Sequence, residues 1–251
     1  MLDQYINLYN QNYSLSKISK IYNINRHNLS ILLKDLIVNK RRRKYFPNHN
    51  YFNNIDSEEK AYILGFIFAD GNVYKNRIKI EISNIDKDIL ILISNQIYNQ
   101  DLVKYSKKNN KDYCSLSIYS ENIKNDLAKY SCVSNKSKIL IFPNINEIYY
   151  KHFIRGLIDG DGFISLKTKT IGLLATNNIN QYIKSILNKL NISCFIVKAY
   201  KQDINILNEL RVKKQDSIIK LINYLYDNST IFINRKYINA LEIKKALQSK
   251  A

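Results

Sequence analysis

The chain of 251 residues contains few of the residue types on which many small folds depend. It has six glycines, two prolines, three cysteines, one methionine and no tryptophan. So few glycines exclude a collagen-like chain and a Gly-rich linker protein. The cysteines are odd in number and show no C-x-x-C spacing, so we expect no disulfide framework and a reducing compartment. The three histidines form no ligand pattern with the cysteines, which argues against a zinc site.

Long apolar runs are also absent, and acidic residues are few. No run approaches the roughly 20 residues of a membrane span, and no basic segment followed by an apolar stretch marks a secretory signal. We therefore expect an intracellular, non-secreted protein without a membrane partner, in a bacterial or phage-infected cytoplasm or in an organelle. Lys and Arg number 39 against 21 Asp and Glu, a net charge of +18. This surplus favours a polyanionic partner, either nucleic acid or an acidic membrane surface.

Residues 1–46 predict a small all-α DNA-binding module with a basic tether. Apolar residues recur at helical spacing, Ser14 is suited to cap a helix, and Asn23 can take the left-handed conformation of a tight turn. We expect a helix-turn-helix with a recognition helix from Arg26 to Leu36. A helical hairpin used only for packing is the alternative. The residues expected to reach base edges are Arg26, His27, Asn28 and Ser30.

Five consecutive cations at 40–44 form the basic tether of this module. Such a run is often a solvated linker or a localisation signal, and here it is suited to follow a phosphate backbone. Pro47 and the Asn-rich stretch after it mark a domain boundary. The expected phosphate contacts in the run are Arg41, Arg42 and Arg43.

Segments 61–71 and 153–162 share one pattern, an apolar helix followed by an acid and a glycine. Together they hold five of the six glycines. Small residues four apart place a smooth face on each helix, which lets two helix backbones approach closely. The small residues expected at this helix-pair interface are Gly65, Ala69, Gly156 and Gly160. Two further glycines, Gly71 and Gly162, stand where the helices end, a position that favours a residue without Cβ.

Asp70 and Asp161 precede those helix ends. The helix macrodipole is negative there, so an acid is locally unfavourable unless something cationic binds beside it. Plain core packing would explain the small residues and leave both acid–glycine endings unexplained. An EF-hand loop around Asp159 would require acids at Leu157 and Thr168, so that alternative fails.

The two segments resemble the paired LAGLIDADG motifs of homing endonucleases in their single-chain form. Residues 63–71 and 154–162 align with the nine motif positions without a gap, although Phe68 replaces an acid and Arg155 a small residue. The resemblance covers about residues 56–248. It implies an α+β fold of two pseudo-symmetric αββαββα repeats, 56–140 and 141–248, which form a saddle of antiparallel strands.

After each motif the apolar period changes from helical to alternating, which predicts strands with one charged face. A charged strand face is often merely solvated, but several in a chain of this charge favour binding along a DNA major groove. The strand residues expected to contact DNA are Lys75, Arg77, Lys79, Lys167, Lys169, Lys198, Tyr200 and Arg211.

The resemblance implies a metal-dependent endonuclease that cuts both DNA strands and leaves short 3′ overhangs. Two neighbouring carboxylates can hold divalent ions that activate water and neutralise the phosphate. Oxygen ligands favour Mg²⁺, with Mn²⁺ or Ca²⁺ as substitutes in binding. By resemblance the metal residues are Asp70, Asp161, Gly71 and Gly162. Lys213 would be the basic catalytic residue, or contact phosphate only, and Glu81 would position water.

Two other functions remain open at this point. An intron maturase would use the same scaffold to bind structured RNA. A catalytically inactive DNA-binding regulator would keep the fold, but the retention of both Asp70 and Asp161 argues against it. We expect a monomer that binds double-stranded DNA.

Overall fold

The computed structural model describes residues 2–11, 13–34, 45–134, 136, 139–198 and 207–249. The chain divides into a smaller unit, Met1–Tyr45, and a larger unit, Phe46–Ala251. Four residues predicted to contact DNA lie outside the described residues: Arg41, Arg42, Arg43 and Tyr200.

The smaller unit contains three short helices, Leu2–Asn10 (α1), Leu15–Ile21 (α2) and Arg26–Leu32 (α3). The Ser14 hydroxyl caps α2 by accepting the Lys17 N–H at 3.1 Å, and Asn23 has a φ of 50°, so both turn predictions are confirmed. The recognition helix is shorter than predicted, because α3 ends at Leu32. The three helices share a small apolar core of Tyr5, Ile18, Leu29 and Leu33.

The larger unit repeats the order helix, two strands, helix, two strands, helix, as predicted. The first repeat consists of α4 Glu58–Asp70, β1 Gly71–Tyr74, β2 Arg77–Ser83, α5 Lys87–Tyr98, β3 Lys104–Lys108, β4 Lys111–Tyr119 and α6 Glu121–Lys129. The second consists of α7 Tyr150–Asp161, β5 Gly162–Ser165, β6 Thr170–Thr176, α8 Asn177–Lys189, β7 Phe195–Lys198, β8 Leu207–Val212 and α9 Gln215–Tyr226. A last helix, α10, covers Asn234–Gln248.

Each repeat contributes one antiparallel four-stranded sheet, in the orders β1-β2-β4-β3 and β5-β6-β8-β7. The registers correspond, because Gly71 stands opposite Ile80 in the first sheet and Gly162 opposite Leu173 in the second. The two sheets can therefore be compared position by position.

One face of each sheet packs on helices and the other is open, as alternation requires. In β2, Ile78, Ile80 and Ile82 are buried, whereas the residues between them are partly exposed. We call the sides that carry Lys79 and Arg211 the first and second open faces. Lys75 was predicted to share the face of Lys79, but it lies in the turn between β1 and β2 with a φ of 52°. The prediction treated this hairpin as one continuous strand.

Side-chain caps fix where helices begin after strands and loops. Ser57 accepts the Lys60 N–H at the start of α4, Ser120 caps α6, and Thr176 caps α8 directly after β6. Each cap satisfies a backbone donor that the helix itself leaves unpaired. Among the described residues, no helix combines the length and the hydrophobicity that a membrane span needs.

Candidate active site at the ends of the paired helices

Helices α4 and α7 touch backbone to backbone. A Cβ added to Gly65 would lie 2.1 Å from the Phe153 carbonyl oxygen, and one added to Gly156 would lie 2.2 Å from that of Tyr62. Only hydrogen fits at these positions, because the obstacle is main chain and cannot rotate away. The motif glycines therefore set the distance between the two helices.

The last turns of the two helices are equally close. A Cβ on Gly160 would lie 2.2 Å from the Ala69 Cβ and 3.1 Å from the Asp70 carboxylate. Asp70 and Asp161 are the final residues of α4 and α7. The contact between small residues thus brings the two terminal carboxylates into one site.

Gly71 and Gly162 must lack a side chain, but for a reason that differs from the one predicted. Both have negative φ values, −75° and −95°, so neither adopts the left-handed conformation of a common helix cap. A Cβ on Gly71 would lie 2.5 Å from the Ile67 carbonyl oxygen, and one on Gly162 would lie 2.6 Å from that of Ile158. The chain turns from helix into strand so tightly that close packing excludes a side chain.

The surroundings raise the pKa of both terminal acids. Burial raises the pKa of Asp70 to about 6, and the nearby charge of Asp161 adds to the increase. Burial also raises the pKa of Asp161, although this residue is more exposed to solvent. Both carboxylates prefer the protonated form more than a free side chain does, chiefly because burial disfavours their charge.

Two buried lysines partly offset this unfavourable charge. The Lys136 ammonium donates to the carbonyl oxygens of Phe68 at 2.5 Å and Ala69 at 3.2 Å, in the last turn of α4. Burial lowers its pKa, and its charge lowers the pKa values of Asp70 and Asp161.

Lys236 occupies the corresponding place at the end of α7. Its ammonium donates to the carbonyl oxygens of Ile158, Asp159 and Gly162, each at 2.7 Å. Burial lowers the pKa of Lys236 to about 8. A cation at a helix C-terminus is favourable for the macrodipole and for the orphan carbonyls.

The cation expected beside the two acids is therefore supplied in part by the chain itself. Sequence reasoning missed both lysines, because each lies more than 60 residues from the acid that it serves. A signal did exist. Lys136 and Lys236 each follow the third helix of their repeat, α6 and α9, so a comparison of the repeats beyond the motifs would have paired them.

The other acid of the second motif, Asp159, has a structural role. Its carboxylate is buried and accepts hydrogen bonds from the Tyr62 hydroxyl at 2.7 Å and the Ile233 N–H at 2.8 Å. Burial raises its pKa to about 6. These bonds tie α4, α7 and the segment before α10 together, close to Lys236.

Arg155, which departs from the motif, is completely buried, and its guanidinium is held by hydrogen bonds. It donates to the carbonyl oxygens of Ile231 and Leu225 and to the Glu58 carboxylate, at 2.8, 2.6 and 2.6 Å. Phe68, the other departure, packs edge-on against Phe153 with ring centroids 5.1 Å apart. The structure thus accommodates both exceptions, Arg155 by hydrogen bonds to distant segments and Phe68 by aromatic packing.

Glu81 is held by cations on the first open face. It forms ion pairs with Lys79 at 2.6 Å and with Lys108, and the hydrogen bonds of those two lysines lower its pKa. Its predicted role in positioning water stays a prediction.

Lys213 follows β8 directly, and its ammonium lies 5.8 Å from the Phe195 ring centroid. The lysines whose charges lower the pKa of Asp161 are Lys136 and Lys236. The catalytic role predicted for Lys213 stays a prediction, and its position equally suits the alternative of a phosphate contact.

The first open face is strongly basic. Among the described strand residues on this face, Glu81 is the one acid. The cations on the same face are Arg77, Lys79, Lys104, Lys108 and Lys111.

The second open face carries less charge. Arg211 forms two hydrogen bonds to Glu209, at 2.6 and 2.8 Å, so this pair is electrically neutral. Lys167 and Lys169 lie in the turn between β5 and β6. Lys198 was expected on the same face as Arg211, but its partner Asn208 places it on the other side of the sheet.

The predicted contact residues of the smaller unit are accessible. Arg26, His27, Asn28 and Ser30 are all exposed on α3, and Asn25 caps this helix by accepting the His27 N–H at 2.8 Å. Their role in DNA binding stays a prediction.

The paired acids fit a divalent cation that prefers oxygen ligands. Asp70 and Asp161 provide two carboxylates, and burial raises the pKa of each. The Gly162 carbonyl, a metal ligand by resemblance, accepts the Lys236 ammonium at 2.7 Å. Within the described ranges, no three His, Cys, Asp or Glu residues are grouped to hold a metal. Any ion would thus depend on this acid pair with oxygen from main chain, water or substrate.

No protein-family model matches the chain, and no curated protein sequence matches it. Similar solved structures exist. Full-length DUF199/WhiA from Thermatoga maritima aligns with a TM-score of 0.53 and 14% identity over 81% of this chain. The alignment spans 65% of the WhiA chain.

Two meganucleases crystallised with DNA are also similar. I-AabMI bound to uncleaved DNA aligns with a TM-score of 0.51 and 14% identity, over 75% of this chain and 91% of that one. I-SmaMI bound to uncleaveable DNA aligns with a TM-score of 0.51 and 15% identity, over 78% of this chain and 92% of that one. The paired motif helices and the two four-stranded sheets identify the larger unit as a single-chain LAGLIDADG fold.

Proposed function

We propose that the protein is a site-specific DNA endonuclease that hydrolyses both strands of a duplex with divalent metal ions. One observation carries the proposal. Two carboxylates, Asp70 and Asp161, end adjoining helices and keep raised pKa values despite two buried lysines beside them. A fold gains nothing in stability from such a pair, so its presence favours a catalytic role.

The chain's own groups prepare this site in three ways. Gly160 allows the last helical turns to touch, which sets the spacing of the two acids. Lys136 and Lys236 hold the ends of α4 and α7 and favour the ionised form of both acids. Burial keeps Asp70 from being fully ionised below about pH 6.

Asp70 and Asp161 would hold the metal, with Mg²⁺ favoured by the oxygen ligands. A bound divalent ion would supply an activated water and neutralise charge on the phosphate. Cleavage of both strands with short 3′ overhangs follows from the family resemblance and belongs to the proposal.

Duplex DNA is the partner that the surfaces favour. Five cations against one acid on the first open face suit a phosphate backbone. The similar meganucleases were crystallised with DNA. The exposed start of α3 would extend the contact with the target.

A cleavage assay tests the proposal directly. The protein is incubated with Mg²⁺ and a library of duplexes, and the new ends are sequenced. We expect discrete double-strand breaks that disappear when EDTA is added. Random nicking, or tight binding to a structured intron RNA without any DNA cleavage, would contradict the proposal.

Deleting residues 1–46 tests whether the smaller unit extends the contact with the DNA target. We expect weaker target binding and unchanged cleavage at saturating protein, because the acid pair lies in the larger unit. Affinity and salt dependence that do not change would favour a packing role for the three helices.

A second candidate is sequence-specific DNA binding without hydrolysis. The observation in its favour is that no third acidic, His or Cys side chain joins the acid pair among the described residues. Sequence-specific binding with no cleavage under Mg²⁺ or Mn²⁺ would select this candidate.

A further inference from the structure

The second open face presents three large apolar side chains to solvent. Phe163, Leu174 and Phe195 are 37%, 39% and 41% exposed. Single exposed apolar residues are common on proteins, but these three share one face of one sheet. They lie on β5, β6 and β7, on both sides of strand β8, which contributes Glu209 and Arg211 to this face.

This surface is shaped by a glycine. A Cβ on Gly172 would lie 2.4 and 2.5 Å from two ring atoms of Phe163, so the ring occupies the space where a side chain would stand. Gly172 is the one glycine outside the two motifs. Because Gly172 has no side chain, the Phe163 ring can pack against the neighbouring strand at this position.

The charges on this face are a neutral ion pair on the central strand β8 and cations at the edge of the face. Arg211, between Gly172 and Phe195 in the register, is held by the Glu209 carboxylate. Lys167 and Lys169 stand in the β5–β6 turn, and Lys213 follows β8. Apolar side chains beside a neutral ion pair, with cations at the edge, match a DNA groove, where phosphates flank the base edges.

The position of the face indicates which molecule covers it. Strand β5 begins at Gly162, directly after Asp161, so the face starts at the candidate active site. A duplex whose phosphate reaches Asp161 would continue along this face. Within the major groove, the apolar group that a base presents is the thymine 5-methyl, which Phe and other apolar side chains contact.

We propose that the second open face recognises thymine methyl groups in one half of the DNA target, with Phe163, Leu174 and Phe195 as the contact residues. This inference rests on the proposed function, since it requires a duplex target. The first open face, with its five cations, holds the other half through phosphates.

Replacing thymine with uracil tests the inference, because only the 5-methyl group is removed. Each thymine of the cleavage target is replaced singly, and the dissociation constant is measured. We expect about 4-fold weaker binding for each contacted methyl, the value of one buried CH₂ group. The sensitive positions should all lie on one side of the cleavage centre.

Variants then connect the sensitive thymines to the face. Leu174→Ser and Phe195→Ser should weaken binding to the thymine duplex. In each variant, uracil at the thymine that the removed side chain contacts should cause no further loss of affinity. Leu174→Met should retain the sensitivity, which separates contact from folding. Tyr74→Ser, at an exposed residue of the first open face, is the matched control and should leave the uracil effect unchanged.

The outcomes are distinguishable. Specific cleavage with no sensitivity to uracil on either side would overturn the inference and leave the proposed function standing. Absence of any specific duplex binding would remove the proposed function and the inference together. Self-association in light scattering that Leu174→Ser abolishes, with uracil-insensitive DNA binding, would make this face a protein interface and overturn the inference.

Discussion

The two open faces occupy equivalent positions and differ in chemistry. Aligned by register, Arg77 corresponds to Thr170, Lys79 to Gly172 and Glu81 to Leu174. Lys104 corresponds to Val197 by the same alignment. The first face is basic, whereas the second combines exposed apolar side chains with a neutral Arg211–Glu209 pair. The two repeats therefore share one backbone arrangement and differ in the surface that they offer to a ligand.

The helix pair shows the opposite behaviour. Gly65 and Gly156 meet backbone in the same way, and Asp70 and Asp161 end both helices. Lys136 and Lys236 bind the carbonyls of the corresponding last turns. A contact without side chains between the helices tolerates no alternative residue, while a solvent-facing strand position tolerates many.

The largest effect is expected from removing either terminal carboxylate. Asp70→Asn and Asp161→Asn should each lower double-strand cleavage by more than about 100-fold, since loss of a mere outer-shell partner typically costs about 10–100-fold. Plasmid nicking and linearisation measure the two strands separately. Asp112→Asn, at an exposed strand residue, is the control and should cut normally. Full linearisation by both variants would contradict the catalytic role, and full linearisation by one alone would end the equivalence of the two helix ends.

Alanine at the helix contact should destabilise the protein more than alanine on the sheet face. Gly65→Ala meets main chain at 2.1 Å, so we expect a loss of about 3 kcal/mol or more in unfolding free energy. Gly172→Ala meets the movable Phe163 ring, and we expect about 1 kcal/mol. Urea denaturation measures both. Equal losses would mean that the helix pair accommodates a Cβ as easily as the sheet face does.

The pH dependence should distinguish Asp70 from Asp161. Because the pKa of Asp70 is raised in the folded state, its carboxyl contributes to stability below its unfolded pKa of about 4. This contribution is lost as the pH rises through the folded pKa of about 6. Asp70→Asn should therefore raise the unfolding free energy at pH 8 by about 1–3 kcal/mol, with no gain below pH 4. Asp161→Asn should gain less, because Asp161 is more exposed. An equal gain at both pH values would contradict the assignment.

The smallest effect should separate the two open faces. Lys104→Ala should weaken binding to all duplexes and reduce the salt slope by about 1, as expected for a phosphate contact. Val197→Ala, at the register equivalent, should leave the salt slope unchanged. Binding titrations at several salt concentrations measure both. Identical slopes would remove the electrostatic difference between the faces.

Much of the fold was predictable because its signals are local. Helical spacing, alternation and the cap at Ser14 act within a few residues, and the repeated motif fixed the order of elements. The hairpin turn at Lys75 and the strand β3 were missed. A lysine with positive φ gives no turn signal, and β3 is exposed along its length, so it carries no apolar alternation.

The sequence by itself determined the paired motif helices, the two acids at their ends and the basic charge of the chain. Only the tertiary structure decided which cations serve those acids, why Arg155 is tolerated and which strand faces are basic or apolar. Lys136 reaches Phe68 and Lys236 reaches Ile158 across many residues of chain. The physical reason is how far apart in sequence the interacting residues lie. Backbone conformation follows from neighbours in sequence, whereas burial, charge compensation and the surface offered to a ligand depend on residues that folding brings together.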